Sequence, residues 1–179
     1  MAAESLSPTD SLRDFLDEGR AEDGATARSA LFWRAHIEAE SATLIGFLVS
    51  CVETKEKVRV LLRNGTVRHG RVLSVGLDVV CLSTDRGGGN LVAVHFLESV
   101  RSQSKRLTTS NRAADPTTMH EQIRRIAEQR VSVRIVMASG SEEHGLIVAC
   151  GSDVCVVQNA QRELTYLSTT AIGEISVTP

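Results

Sequence analysis

Val58-Arg59-Val60-Leu61-Leu62-Arg63-Asn64-Gly65, running on through Gly70, Gly76 and Asp78 to Leu82, has a second copy in the same chain. That copy begins at Val133-Arg134-Ile135-Val136-Met137 and passes Gly140, Gly145, Gly151 and Asp153 to Val157, at a constant offset of 75 positions. The identities are Val58/Val133, Arg59/Arg134, Gly65/Gly140, His69/His144, Gly70/Gly145, Gly76/Gly151, Asp78/Asp153 and Val79/Val154. Three glycines in one register point to backbone positions that need positive φ or a close strand approach in both copies. Where letters differ, the β-type apolar pattern persists, as in Val60/Ile135, Leu62/Met137, Val72/Ile147 and Val80/Cys155.

Asn64-Gly65 and Ser139-Gly140 are hairpin turn signals, and Gly76-Leu77-Asp78 and Gly151-Ser152-Asp153 are second bends. Leu91 to Val94 and Leu97 to Val100 add two short strands to the first copy; Tyr166-Leu167 and Ile172 to Val177 are their equivalents. Five short strands with tight turns read as a small closed barrel, which would remove exposed sheet edges. The same offset places Leu44, Leu48, Cys51 and Val52 on Met119, Ile123, Ile126 and Ala127, at helical spacing in both copies. The expected fold is mainly β with helices: two tandem five-stranded barrels, each preceded by a helix. The expected organisation is an acidic arm over residues 1–25, a helix plus first barrel over 26–102, a linker over 103–117, and a helix plus second barrel over 118–179.

Composition narrows the function. Aromatic residues make up only 3% of the 179, so neither cores nor binding surfaces rest on ring stacking. Cys51, Cys81, Cys150 and Cys155 sit in apolar registers with no CxxC and no nearby histidine pair, which reads as reduced core thiols in a cytoplasmic protein without a metal or other cofactor. The start of the chain lacks a basic flank followed by an apolar run, and Ala42 to Val52 is too short and too interrupted to span a bilayer. No membrane and no small-molecule substrate is expected.

The net charge of −2 conceals a partition. Residues 1–56 carry net −6, residues 57–134 net +8 and residues 135–179 net −4. An anionic partner on the first barrel, and a basic middle that complements acidic ends within or between chains, both account for it. Under the first reading the binding residues are Arg59, Arg63, Arg68, Arg71, Arg101, Lys105 and Arg106, with His95 lining a nearby loop.

Along the rest of the chain, Thr9 is placed to cap a short helix, and a long helix is expected from about Thr26 to Thr54 with Trp33 as a packing anchor. Arg86 to Asn90 reads as a flexible loop. Thr118-Met119-His120-Glu121 has capping-box spacing and should begin the second helix. His69/His144 and Asp78/Asp153 lack a paired nucleophile or a metal-spaced cluster, and both aspartates read as turn caps, so no enzyme activity is expected.

Val58-x-Val60 with Asn64-Gly65, then Gly70, the apolar third strand, and Leu91-Val92 leading to His95 and Val100 resemble the bacterial Sm-like RNA chaperone Hfq. The resemblance implies an Sm-like module, a helix followed by a strongly bent five-stranded barrel, with RNA held at loops that correspond to Val75 to Asp78 and His95 to Leu97. The whole chain is also similar to a group of actinobacterial proteins that brings no function with it. RNA or DNA is one expected partner; a protein partner, or self-association through the barrel edges with no nucleic-acid contact, is the other.

Overall fold

The computed structural model describes residues 42–84, 88–102, 109–110 and 112–177. Two units share one element order. The first consists of α1 (Leu44–Thr54), β1 (Lys57–Leu62), β2 (Val67–Val75), β3 (Val79–Thr84), β4 (Gly89–Ala93) and β5 (Leu97–Ser102). The second consists of α2 (Met119–Gln129), β6 (Ser132–Met137), β7 (Glu142–Cys150), β8 (Val154–Gln158), β9 (Leu164–Ser168) and β10 (Ile172–Val177). A 3-10 turn, Val94–Phe96 or Thr169–Ala171, precedes the last strand of each.

The local chemistry repeats with the sequence. Gly65 and Gly140 adopt φ of 80° and 89° in the turns after β1 and β6, a conformation that side chains with a Cβ avoid. Gly70 and Gly145 meet the expectation of close strand approach, since an added Cβ would run into the carbonyl oxygen of Ser83 or Gln158 on the facing strand. The pairing register slips between Val72 and Ser74 in β2 and at the equivalent Ile147 and Ala149 in β7. Such irregularities bend and twist the long second strand of each unit.

Each helix begins at a hydroxyl cap. Thr118 Oγ1 accepts from the Glu121 N–H and the Glu121 carboxylate accepts from the Thr118 N–H, so the expected capping box is present. Thr43 accepts from the Gly46 N–H in an extended conformation, with φ −117° and ψ 154°. That conformation is not helical, so α1 begins after Thr43, and the part of the helix expected from Thr26 that precedes residue 42 lies outside the described residues. The expected Thr9 helix and Trp33 lie outside the described residues.

All ten strands form one antiparallel sheet in the order β5-β1-β2-β3-β4-β10-β6-β7-β8-β9. The expected closure of each unit on itself is not present in the pairing. Within each unit the last strand pairs with the first, not with the fourth, and β4 pairs instead with β10 of the other unit. Two cores flank this seam. The first gathers Leu48 and Cys51 of α1 with Val58, Val60, Leu62, Val80, Val92 and Phe96. The second gathers Met119, Ile123 and Ile126 of α2 with Ile135, Ile147, Val157, Ile172 and Ile175, and also takes Val79 and Leu91 from the first unit. Fully burying each of these aliphatic side chains stabilises the fold by about 1.5–3 kcal/mol, so the shared residues bind the units to one another.

The described part of the expected linker is held against the first unit. Ser110 N–H donates to Gly46 O, Asp115 N–H to Val75 O, and Thr117 O accepts from Leu77 N–H.

Glu174 of β10 is fully buried at the seam. Arg68 donates to it twice, from Nε at 2.6 Å and Nη2 at 2.8 Å, and Asn90 Nδ2 donates at 2.7 Å. Asn90 therefore belongs to β4 and to this network, not to a flexible loop. Removing one partner from such a buried pair leaves the others unsatisfied, whereas replacing the whole set with apolar groups is often neutral. Glu174→Ala is expected to lower unfolding free energy by about 3 kcal/mol, read by urea denaturation, while Arg68→Met/Glu174→Met recovers most of that loss.

Candidate nucleic-acid interface

Strand alternation sorts the basic residues of the first unit. In β1, Val58, Val60 and Leu62 face the core, which leaves Lys57 and Arg59 on the outer surface. Arg59 stands directly opposite Arg101 of β5 on one side and His69 of β2 on the other. Lys57 stands opposite Arg71, and Arg71 opposite Ser83. Lys57, Arg59, His69, Arg71 and Arg101 are all exposed. Lys57, Arg59, His69 and Arg101 line one shallow concavity of about 400 Å³. Among the described residues, no carboxylate pairs with Arg59, Arg71 or Arg101.

Like charges directly opposite one another in an antiparallel pair destabilise it. The second unit shows the neutral version of the same place. Arg134, the counterpart of Arg59, is held by a bidentate ion pair with Glu142, including Nε to Oε2 at 2.7 Å. That hydrogen-bonded carboxylate raises the pKa of Arg134 above its ordinary value, and the guanidinium in turn lowers that of Glu142. Ser132, Leu146 and Ser176 replace Lys57, Arg71 and Arg101. A face carrying Arg59, Arg71 and Arg101 without a paired carboxylate among the described residues is confined to the first unit.

The other sequence-identified residues lie elsewhere. Arg63 is exposed in the turn at the far end of β1, its N–H donating to Phe96 O at 3.0 Å. Arg68 shares the inward side with Val60 and is consumed by Glu174. Lys105 and Arg106 lie outside the described residues. His95 is exposed in the 3-10 turn, but it lines a different cavity, of about 350 Å³, with Asp78, Met119, His120, Thr169 and Thr170. The structure thus gathers Arg59, Arg71 and Arg101 and separates them from Arg63, Arg68 and His95. Lys57, and His69, which the sequence pattern brought up only for catalysis, join the face; the period-2 spacing of Lys57 with Arg59, and of His69 with Arg71, is the signal that points to them.

Asp78, expected to cap its own bend, is bonded through its carboxylate to the start of the second helix instead. Its Oδ1 accepts the Met119 N–H at 2.6 Å, so a first-unit carboxylate caps the second unit's helix, where a negative charge favours the exposed N–H groups. His120 Nε2 lies 2.7 Å from Gly151 O and ties that helix to its own unit. Among the described residues there is no cluster of three or more metal-ligating side chains. No described helix is long and apolar enough to cross a membrane.

Neither a protein-family model nor a curated protein matches the chain.

All four cysteines are free thiols. Burial pushes Cys51 and Cys155 up to about 11, with smaller contributions from Glu56 and Cys150 respectively, and burial also raises Cys81 and Cys150. Thiols held protonated are poor nucleophiles. Iodoacetamide labelling of native protein near pH 8, read by intact mass, is expected to be slow, reaching Cys81 and Cys150 first and Cys51 and Cys155 only on unfolding.

Proposed function

We propose that the protein is a non-enzymatic Sm-like binding module that holds the phosphate backbone of RNA or DNA on the outer β5-β1-β2 face of its first unit. The strand order fifth-first-second-third-fourth behind a helix, repeated in both units, supports the Sm-like reading. The observation that carries the function is the facing pair Arg59 and Arg101, flanked by Arg71 and left without a carboxylate where the second unit supplies Glu142 to its only retained arginine. A phosphate placed over this face converts a local repulsion into charge-assisted hydrogen bonds. No Phe, Tyr or Trp lines the concavity, and its basic side chains suit contact to the backbone rather than to sequence.

The test is fluorescence anisotropy with labelled single-stranded RNA, with DNA as comparator, over a series of salt concentrations. Three phosphate contacts give a slope of log affinity against log salt of roughly −2 to −3. Arg59→Ala/Arg71→Ala/Arg101→Ala is expected to abolish binding and flatten that slope, and Arg134→Ala to leave both unchanged. Binding that survives the triple substitution, or no binding by the native chain at low salt, rejects this face as a nucleic-acid surface and favours an acidic protein partner.

A further inference from the structure

Cys150 and Cys155 are register partners across β7 and β8, beside the bend that joins those strands. Gly151 N–H donates to Val154 O at 2.8 Å, so the two cysteines form the non-hydrogen-bonded pair next to that contact. In such a pair the Cα atoms stand about 4.5 Å apart and the side chains approach closely, within the roughly 4.4–6.8 Å that a disulfide spans. Both side chains lie on one face, since Cys155 belongs to the second core and Cys150 packs against it. The two sulfurs also act on one another, Cys150 adding to the rise in Cys155.

The first unit shows the same place without thiols. Val75 and Val80 stand at the counterpart positions, opposite one another and buried. There the segment before α2 lies over the strand end: Asp115 N–H donates to Val75 O, and a Cβ added at Gly76 would meet Thr117 O. Among the described residues no such segment covers the second unit. A Cβ at Gly151 would meet Val154 of its own hairpin, Gly151 is exposed, and Cys150 is half-buried where Val75 is 4% exposed. One thiol of the pair is therefore within reach of solvent, and Arg124 favours its thiolate against the burial that opposes it. The other is 0% exposed directly behind it.

From the facing thiols and the uncovered strand end, and independently of the nucleic-acid reading, we propose that Cys150 and Cys155 are a redox modification site, a dithiol that a low-molecular-weight disulfide such as oxidised glutathione converts reversibly to a disulfide across β7 and β8. Cys150 Sγ, as thiolate, attacks one sulfur of the small disulfide; that S–S bond breaks, a mixed disulfide forms on Cys150 and one small thiolate leaves. Cys155 then gives up its proton and attacks Cys150 Sγ, the mixed disulfide breaks and a second small thiolate leaves. The protein dithiol is oxidised, the small disulfide is reduced, and the two cysteine protons end on the two small thiols. Only Cys150 has to meet solvent, because the second attack is between neighbours in the fold. The new bond braces the bend whose Gly151 O lies 2.7 Å from His120 Nε2 and whose Asp153 O accepts from Thr169 N–H at 2.9 Å.

The test is to incubate the full chain with excess oxidised glutathione near pH 8, quench with acid, alkylate the remaining thiols after unfolding, and read intact mass and a peptide map. Native protein is expected to lose two hydrogens and two alkylatable thiols, with Cys150 linked to Cys155, and dithiothreitol restores both. Cys51, 1% exposed in the other core, stays free of adduct and shows that the reaction took place on the folded chain. Cys155→Val is expected to stop at a glutathione adduct on Cys150, and Cys150→Val to leave Cys155 unmodified. Both variants place the first unit's residue at its own counterpart position, and circular dichroism checks their fold; the native map decides by itself if either misfolds. Native protein that keeps both thiols alkylatable, stops at an adduct, links either cysteine to Cys81 or to another chain, or forms the bond only together with modification of Cys51 overturns the proposal.

Discussion

A carboxylate is costly to bury unless both of its oxygens find donors, and Glu174 meets that condition with groups from the other unit alone. Its position on β10 fixes that strand against β4, and β4 in that register carries Leu91 into the second core. A one-residue slip would aim Glu174 into aliphatic packing and Ile175 at Arg68, so the ionic contact and the alternation specify one register together. Backbone pairing brings the strands side by side; the buried charge states which residues meet. The sheet is continuous because β4 and β10 pair over three residues around this buried contact.

The duplicated module was legible because its signals are local. The hairpin at Asn64-Gly65, the close approach at Gly70 and the capping box at Thr118 each involve residues a few positions apart or a backbone constraint that only glycine meets. The seam was not legible for the opposite reason. Glu174 and Arg68 are separated by 106 positions, and their counterparts Ser99 and Glu143 break the repeat at the places where it matters. Asn90 beside glycines carries the composition of a loop, and its pairing with Leu82 and Ser176 and its amide contact to Glu174, all distant in sequence, are what make it a strand residue. Within the candidate site, Arg68 looked like its basic neighbours because charge counting ignores facing. Its place opposite Val60, a core residue, is what separates it from Arg59 and Arg71.

The two units share backbone geometry and differ in charge. At the position of Arg59 and Arg134 the retained guanidinium is free in one unit and neutralised in the other, by a glutamate that stands where the first unit has Val67. Such a substitution leaves the strand and its core face untouched and changes only what the outer surface attracts. The two copies thus share one backbone geometry and differ at this face, where the arginine of the first is unpaired among the described residues and that of the second is ion-paired with Glu142.

Strand β10 also sets the order in which the molecule can be completed during synthesis. The first unit has all five of its own strands long before Ile172–Val177 is made, yet β4 remains an open edge, and Arg68 and Asn90 have no acceptor, until that last strand arrives. The modules therefore cannot finish independently as they leave the ribosome, as domains of a multidomain chain usually do. The first unit waits on the last strand of the second, and the nascent chain carries an unsatisfied edge while nearly the whole of that second unit is made.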